Sequence, residues 1–134
     1  MSVYYCDGSL SDQYKKIGIG IFYNGIEEYI EMTTHNWKSQ LHEIEAMIKT
    51  IEIADRQEQV NFKIVNDDKW LVATINNMLS KRKVKSKGLI KKDRFNYLLE
   101  LIRSKNITVS LPKTEDEKNC IRICHKLSRT YMNQ

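Results

Sequence analysis

Ile17-Gly18-Ile19-Gly20-Ile21-Phe22-Tyr23-Asn24-Gly25-Ile26-Glu27-Glu28-Tyr29-Ile30-Glu31-Met32 is the part of this sequence with the least freedom in how it can fold. Ile17, Ile19, Ile21 and Tyr23 alternate with Gly18, Gly20 and Phe22, the two-residue period of a strand. Asn24-Gly25 signals a tight hairpin, because both residues tolerate the positive φ that such a turn requires. Ile26 to Met32 then returns as a strand: Tyr29 and the β-branched Ile26 and Ile30 favour it, and Glu27, Glu28 and Glu31 suggest an exposed edge.

Toward the N-terminus, Val3 to Asp7 adds a short strand, so three antiparallel strands open the chain. Toward the C-terminus the period changes. Leu41, Ile44, Met47, Ile48 and Ile51 recur at three- and four-residue steps, marking one face of a helix that ends near Ala54, with Ser39 as its expected N-cap. Val60 to Val65 reads as a strand that stops at Asn66-Asp67-Asp68. Trp70, Leu71, Ile75, Met78 and Leu79 stripe the next helix, and Phe95, Leu98, Leu99 and Ile102 stripe another. Ile107 to Leu111 is a last strand. After Pro112, a helix from about Glu117 carries Cys120, Ile123, Cys124, Leu127 and Tyr131 on one side. The order predicts an α/β fold with a five-stranded mixed sheet, three antiparallel strands followed by parallel ones, and helices on both faces.

Ligands of open sheets gather where strand ends and a change of topology coincide. Asp7 and Asp67 are both expected at such ends. Two carboxylates there, with a third at a helix start, make an oxygen-rich pocket suited to the hard cations Mg²⁺ or Mn²⁺. Glu43 and Glu45 both flank the apolar stripe of the first helix, and periodicity cannot choose between them.

The 134 residues fit one domain spanning 1–134, and a hydrophobic fraction of 41% with 29% charged residues is ordinary for a globular protein. No apolar run is long enough to cross a bilayer, and Met1 to Asp7 lacks the regions of a signal peptide, so a cytoplasmic location away from membranes is expected; a monomer is expected too. Cys6, Cys120 and Cys124 lack a paired spacing and fit reduced thiols. The net charge of +5 favours polyanionic partners. It is concentrated between Ser80 and Arg94, where Lys81, Arg82, Lys83, Lys85, Lys87, Lys91, Lys92 and Arg94 face a single acid, Asp93.

Four passages resemble the type 1 ribonuclease H family. Tyr5-Cys6-Asp7-Gly8-Ser9 resembles the family's first-strand motif. His42-Glu43-Ile44-Glu45-Ala46-Met47-Ile48 resembles a helix motif in which a Glu precedes an Ala by three positions, which assigns the metal-ligand role to Glu43. Ile64-Val65-Asn66-Asp67-Asp68-Lys69-Trp70-Leu71 resembles the passage in which an Asp ends the fourth strand, with Asp68 read as a helix N-cap. Ile123-Cys124-His125-Lys126-Leu127-Ser128 resembles the start of the last helix, except that His125 stands where the family has Asp. The loop from Pro112 to Glu117 also departs from the family's Gly-His pair.

The resemblance implies a ribonuclease H-like fold and metal-dependent hydrolysis of the RNA strand of an RNA–DNA hybrid. Asp7, Glu43, Asp67 and His125 would hold two Mg²⁺ or Mn²⁺ ions that activate water and stabilise the leaving 3′ oxygen. Gly8 and Ser9, with Glu43, match positions that contact RNA 2′-hydroxyls. Lys81, Arg82, Lys83, Lys85 and Lys87 fall where many members carry a Lys-rich protrusion that grips the DNA strand. Two alternatives stay open: a non-catalytic nucleic-acid-binding module of the same fold, and a resolvase- or transposase-like DNA nuclease. The Asp-Gly-Ser motif favours the hybrid nuclease over the latter.

Overall fold

The computed structural model describes residues 1–33, 41–80 and 92–133, with the side chains of Lys92 and Asn133 outside that description. Its elements follow the predicted order: β1 (Val3–Ser11), β2 (Lys16–Tyr23), β3 (Ile26–Thr33), α1 (Leu41–Arg56), β4 (Lys63–Val65), α2 (Lys69–Leu79), α3 (Lys92–Ser104), β5 (Thr108–Ser110) and α4 (Glu115–Ser128), then a short 3-10 turn, Thr130–Asn133. They build one five-stranded sheet in the order β3-β2-β1-β4-β5. β1 pairs antiparallel with β2, and β2 with β3, whereas β1–β4 and β4–β5 are parallel. Asn24 and Gly25 take positive φ values of 50° and 75°, as the hairpin demands.

Alternation along β1 and β2 sorts residues between two layers. Tyr4 and Cys6, with Ile17, Ile19, Ile21 and Tyr23, face a core completed by Ile44, Met47, Ile48 and Ile51 of α1 and by Leu71, Ile75, Phe95 and Leu98 of α2 and α3. Tyr5, Asp7 and Ser9 face the other way, where α4 lies across β1, β2 and β3. Gly18 and Gly20 point toward α4. A β-carbon on Gly18 would overlap the Ser128 carbonyl oxygen, and one on Gly20 the Cys124 carbonyl oxygen. The missing side chains let the α4 backbone settle directly on β2.

Several boundaries differ from the expectation. β1 continues to Ser11 instead of ending at Asp7, because β2 offers it an antiparallel ladder as far as Ser11↔Lys16. Asp7 is therefore not at the end of β1. It lies just beyond the last parallel pair with β4, Tyr5↔Val65. β4 is confined to Lys63–Val65, since Asn61 takes a left-handed φ of 55° and Val60 is exposed. α4 starts two residues before Glu117, where Thr114 caps it. Its buried side is Ile121, Cys124 and Ser128, while Cys120, Ile123 and Leu127 are only half-buried, because the helix rests on glycines rather than on a continuous apolar stripe. Ser39 and the basic residues Lys81, Arg82, Lys83, Lys85 and Lys87 lie outside the described residues.

Candidate active site

Three acids converge where β1 and β4 part. Asp7 projects from β1 on the α4 side, Asp67 follows β4, and Glu43 comes from the first turn of α1. Each offers a carboxylate oxygen within 4.8 Å of the others. Asp7 and Glu43 are 4% exposed, while Asp67 is open to solvent. The Gly8 N–H donates to Glu43 Oε1 at 2.6 Å, which fixes the Glu43 carboxylate against β1 just after Asp7. That approach requires a glycine, since a β-carbon on Gly8 would overlap the His42 carbonyl oxygen.

Burial, and then the neighbouring Asp67 charge, push the Asp7 carboxyl up to about 6, against the opposing pull of His125 and the Gly8 N–H. Burial and the Asp7 charge hold Glu43 well above the usual carboxylate range. Like charges at this spacing repel by about 3.5 kcal/mol or more per pair at an effective dielectric of about 20. Among the described residues, no Lys or Arg forms an ion pair with any of the three acids. Uncompensated, mutually repelling oxygen donors of this kind fit a hard divalent cation, and the donor set matches Mg²⁺ or Mn²⁺ rather than a soft metal.

His125 sits beside this cluster, with Nδ1 2.9 Å from Asp7 Oδ2 and about half of its side chain exposed. It is joined to the acids through Asp7 and stands outside the mutually close donor set. The Ser9 hydroxyl turns to α4, 2.6 Å from the Ser128 carbonyl oxygen and 3.1 Å from the Tyr131 hydroxyl, so its proton is committed there. Asp68 caps α2, its side chain accepting from the Leu71 N–H at 2.9 Å. Glu45 faces away from the acids and forms a two-pronged ion pair with Arg94 of α3, at 2.6 and 2.9 Å. Arg94 is what separates the two glutamates that periodicity left equivalent.

Glu115, Asp116 and Glu117 serve the start of α4. Glu117 accepts from the Lys113 and Thr114 N–H groups, completes a capping box and pairs with Lys63 at 3.0 Å. Those contacts hold its carboxyl down at about 2. Cys6 and Cys124 are buried thiols and Cys120 is half-buried; all three are free. Burial pushes Cys6 up to about 12.

Asp7, Asp67 and His125 line an open cleft of about 470 Å³ together with Gly8, Ser9, His42, Arg129, Tyr131 and Met132. Sequence reasoning missed the last four. Arg129 carries the clearest signal of the four, since it follows His125 by four positions and so shares its side of the chain.

The RNase H family model matches residues 1–114. No curated protein matches the chain. Among solved structures, a foamy viral protease-reverse transcriptase in complex with RNA/DNA hybrid superposes with a TM-score of 0.71 at 17% identity, over 96% of this chain and 19% of that one. This chain therefore corresponds to about a fifth of that polypeptide. LC11-RNase H1 in complex with RNA/DNA hybrid gives 0.67 at 13% identity, covering 98% of this chain and 99% of that one. RNase H1 from the halophilic archaeon Halobacterium salinarum NRC-1 gives 0.68 at 11% identity, over 98% and 97%. These structures share the fold, and the family match extends over β1 to β5 and includes Asp7, Glu43 and Asp67: the chain belongs to the RNase H family.

Proposed function

We propose that this protein is a metal-dependent endoribonuclease that cleaves the RNA strand of RNA–DNA hybrids, with Asp7, Glu43 and Asp67 as the metal-holding residues. The observation that carries the reading is the convergence of three carboxylates, none paired with a Lys or Arg among the described residues, at one point of an RNase H-family chain. A module that only bound nucleic acid would gain nothing from acids that repel one another and the phosphates of its ligand.

A divalent cation at the cluster supplies Lewis-acid stabilisation of the phosphate and an activated water. The chain's own residues hold the donors in place. Gly8 N–H orients Glu43, and His125 at 2.9 Å from Asp7 Oδ2 limits the rotation of that carboxylate. No Ser, Thr or Cys in the cleft stands against a base as an activated nucleophile, among the described residues, which suits attack by water. Arg129 supplies positive charge along the cleft wall. The basic residues Lys81, Arg82, Lys83, Lys85 and Lys87 add sequence-independent affinity for the phosphate backbone.

The test is cleavage of hybrids labelled on either strand, beside matched double-stranded RNA and double-stranded DNA, in Mg²⁺ and in Mn²⁺. The reading predicts cutting of the RNA strand of the hybrid alone. Cutting of double-stranded DNA in preference to the hybrid would replace it with the DNA-nuclease reading.

A further inference from the structure

Asn66 is wholly buried and directly follows β4, one residue before Asp67. Its Nδ2 donates to the Cys6 carbonyl oxygen at 3.2 Å, and its Oδ1 accepts from the Asp68 N–H at 2.8 Å. Its backbone N–H donates to the Ser110 carbonyl oxygen of β5 at 3.1 Å. One residue thus ties β1, β5 and the turn into α2. The amide orientation is set by its partners, because exchanging O and N would oppose two acceptors at Cys6 and two donors at Asp68.

The position of this side chain in the ladder gives it a purpose. Parallel pairing of β1 with β4 ends at Tyr5↔Val65. Beyond that pair the chain leaves the sheet to begin α2, and the Cys6 carbonyl loses a backbone partner just before Asp7. Asn66 Nδ2 takes the place of the missing rung. The backbone can then turn away at Asp67 while the end of β4 stays fastened to β1 at the residues that adjoin both acids.

We infer that Asn66 is a positioning residue for the metal-holding cluster, setting the separation of Asp7 and Asp67 through its paired bonds to Cys6 and Asp68. The inference rests on the reading of that cluster as a divalent-cation site. It touches neither the reacting atoms nor the metal; its effect passes through the two strands. Two repelling carboxylates drift apart unless their backbones are fixed, so the loss of this clip is felt most in metal affinity.

The measurement is Mn²⁺ binding to the intact protein by titration calorimetry at pH 8, without nucleic acid, for wild type, Asn66→Ala, Asn66→Asp and the core variant Ile75→Val, with thermal melting in EDTA for each. Asn66→Asp separates position from charge: it keeps the acceptor for Asp68 and adds a negative charge, but replaces the donor to Cys6. Positioning predicts Mn²⁺ binding at least ten-fold weaker in both Asn66 variants and unchanged in Ile75→Val, whatever the melting temperatures. If Asn66→Asp bound Mn²⁺ as tightly as wild type or more so, charge alone would govern the site and the inference would be overturned. Should Asn66→Asp fail to melt cooperatively, Asn66→Ala decides on the same ten-fold criterion. A wild type that bound no Mn²⁺ would overturn the metal-site reading itself, whereas a wild type that bound it beside equally tight Asn66 variants would remove only the role of Asn66.

Discussion

The His125 imidazole faces Asp7 with Nδ1 2.9 Å from Oδ2, from a helix held against β2 by the bare backbone of Gly18 and Gly20. The contact brings a partly exposed ring to an almost fully buried carboxylate. Replacing His125 with Asp would set a fourth carboxylate beside Asp7. His125→Asp should lower the Mg²⁺ concentration needed for half-maximal cleavage several-fold, and lower the melting temperature of the metal-free protein through added repulsion. A metal titration of cleavage checks the first effect and thermal melting in EDTA the second, and an unchanged Mg²⁺ requirement would remove His125 from the site.

The same cluster sets how stability depends on pH in the absence of metal. Asp7 has a folded value near 6 against an ordinary 3.8, so the protonated form is favoured in the fold. Its contribution is full below the ordinary value and is lost as pH rises through about 6. Glu43 shifts in the same direction. Glu117 does the opposite: held near 2 against an ordinary 4.5, it stabilises the fold above 4.5 and loses that contribution as pH falls toward 2. Melting temperatures in EDTA should therefore fall between pH 5 and pH 8, and Mg²⁺ or Mn²⁺ should raise the value at pH 8 more than at pH 5. A metal effect equal at both pH values would contradict the repulsion account.

Gly20 predicts a cost transmitted through packing. Gly20→Ala places a methyl group into the Cys124 carbonyl and the Leu127 side chain, so α4 must lift from the sheet. The expected loss is about 3 kcal/mol, at the upper end for overpacking because backbone rather than a flexible side chain must move. Urea denaturation measures it. The Gly25→Ala change meets open space, and its smaller cost, about 1 kcal/mol, comes from the positive φ of 75° alone.

Arg94→Ala leaves the Glu45 carboxylate buried without its partner. Stripping one member from such a pair costs roughly 2 to 3 kcal/mol here, discounted because the Arg94 side chain is 40% exposed. Replacing both residues together, Glu45→Leu with Arg94→Leu, should recover most of that loss. A double variant as unstable as Arg94→Ala would mean that the pair does more than satisfy a buried charge.

Reversing the charges of Lys83, Lys85 and Lys87 should weaken hybrid binding and flatten its dependence on salt, since each phosphate contact contributes to the slope. Binding measured at two or more salt concentrations checks this. An unchanged slope would leave these residues as a solvated stretch.

Strands and helices were legible because their periods are strong: the Ile17–Tyr23 alternation and the Asn24-Gly25 turn specify the hairpin without reference to the rest of the chain. Boundaries were less legible where partners set them. β1 runs past Asp7 only because β2 pairs with it as far as Ser11, and β4 is short only because Asn61 turns the chain. In the site, Asp7 and Asp67 were marked by their expected places near strand ends and Glu43 by family resemblance alone, and the three carboxylates lie close together. Local pattern could not separate Glu43 from Glu45, because the partner that does so, Arg94, is 49 residues away. Asn66 looked like a strand stop, and its bond to Cys6 across 60 residues has no local signature. Ser9, taken as a contact for RNA, is occupied by a long-range hydrogen bond to α4 of the same kind.

Of the three acids proposed as the catalytic centre of a hybrid-specific ribonuclease, Asp67 is the one whose exposure makes it the safest to alter without disturbing the core. The most direct measurement compares wild type and Asp67→Asn for both binding and cleavage of one RNA–DNA hybrid in Mg²⁺ and in Mn²⁺. Wild type is expected to cut the RNA strand, and Asp67→Asn to bind the hybrid and leave it intact. Cleavage retained by Asp67→Asn, or a wild type that binds the hybrid without cutting it in either metal, would contradict the account.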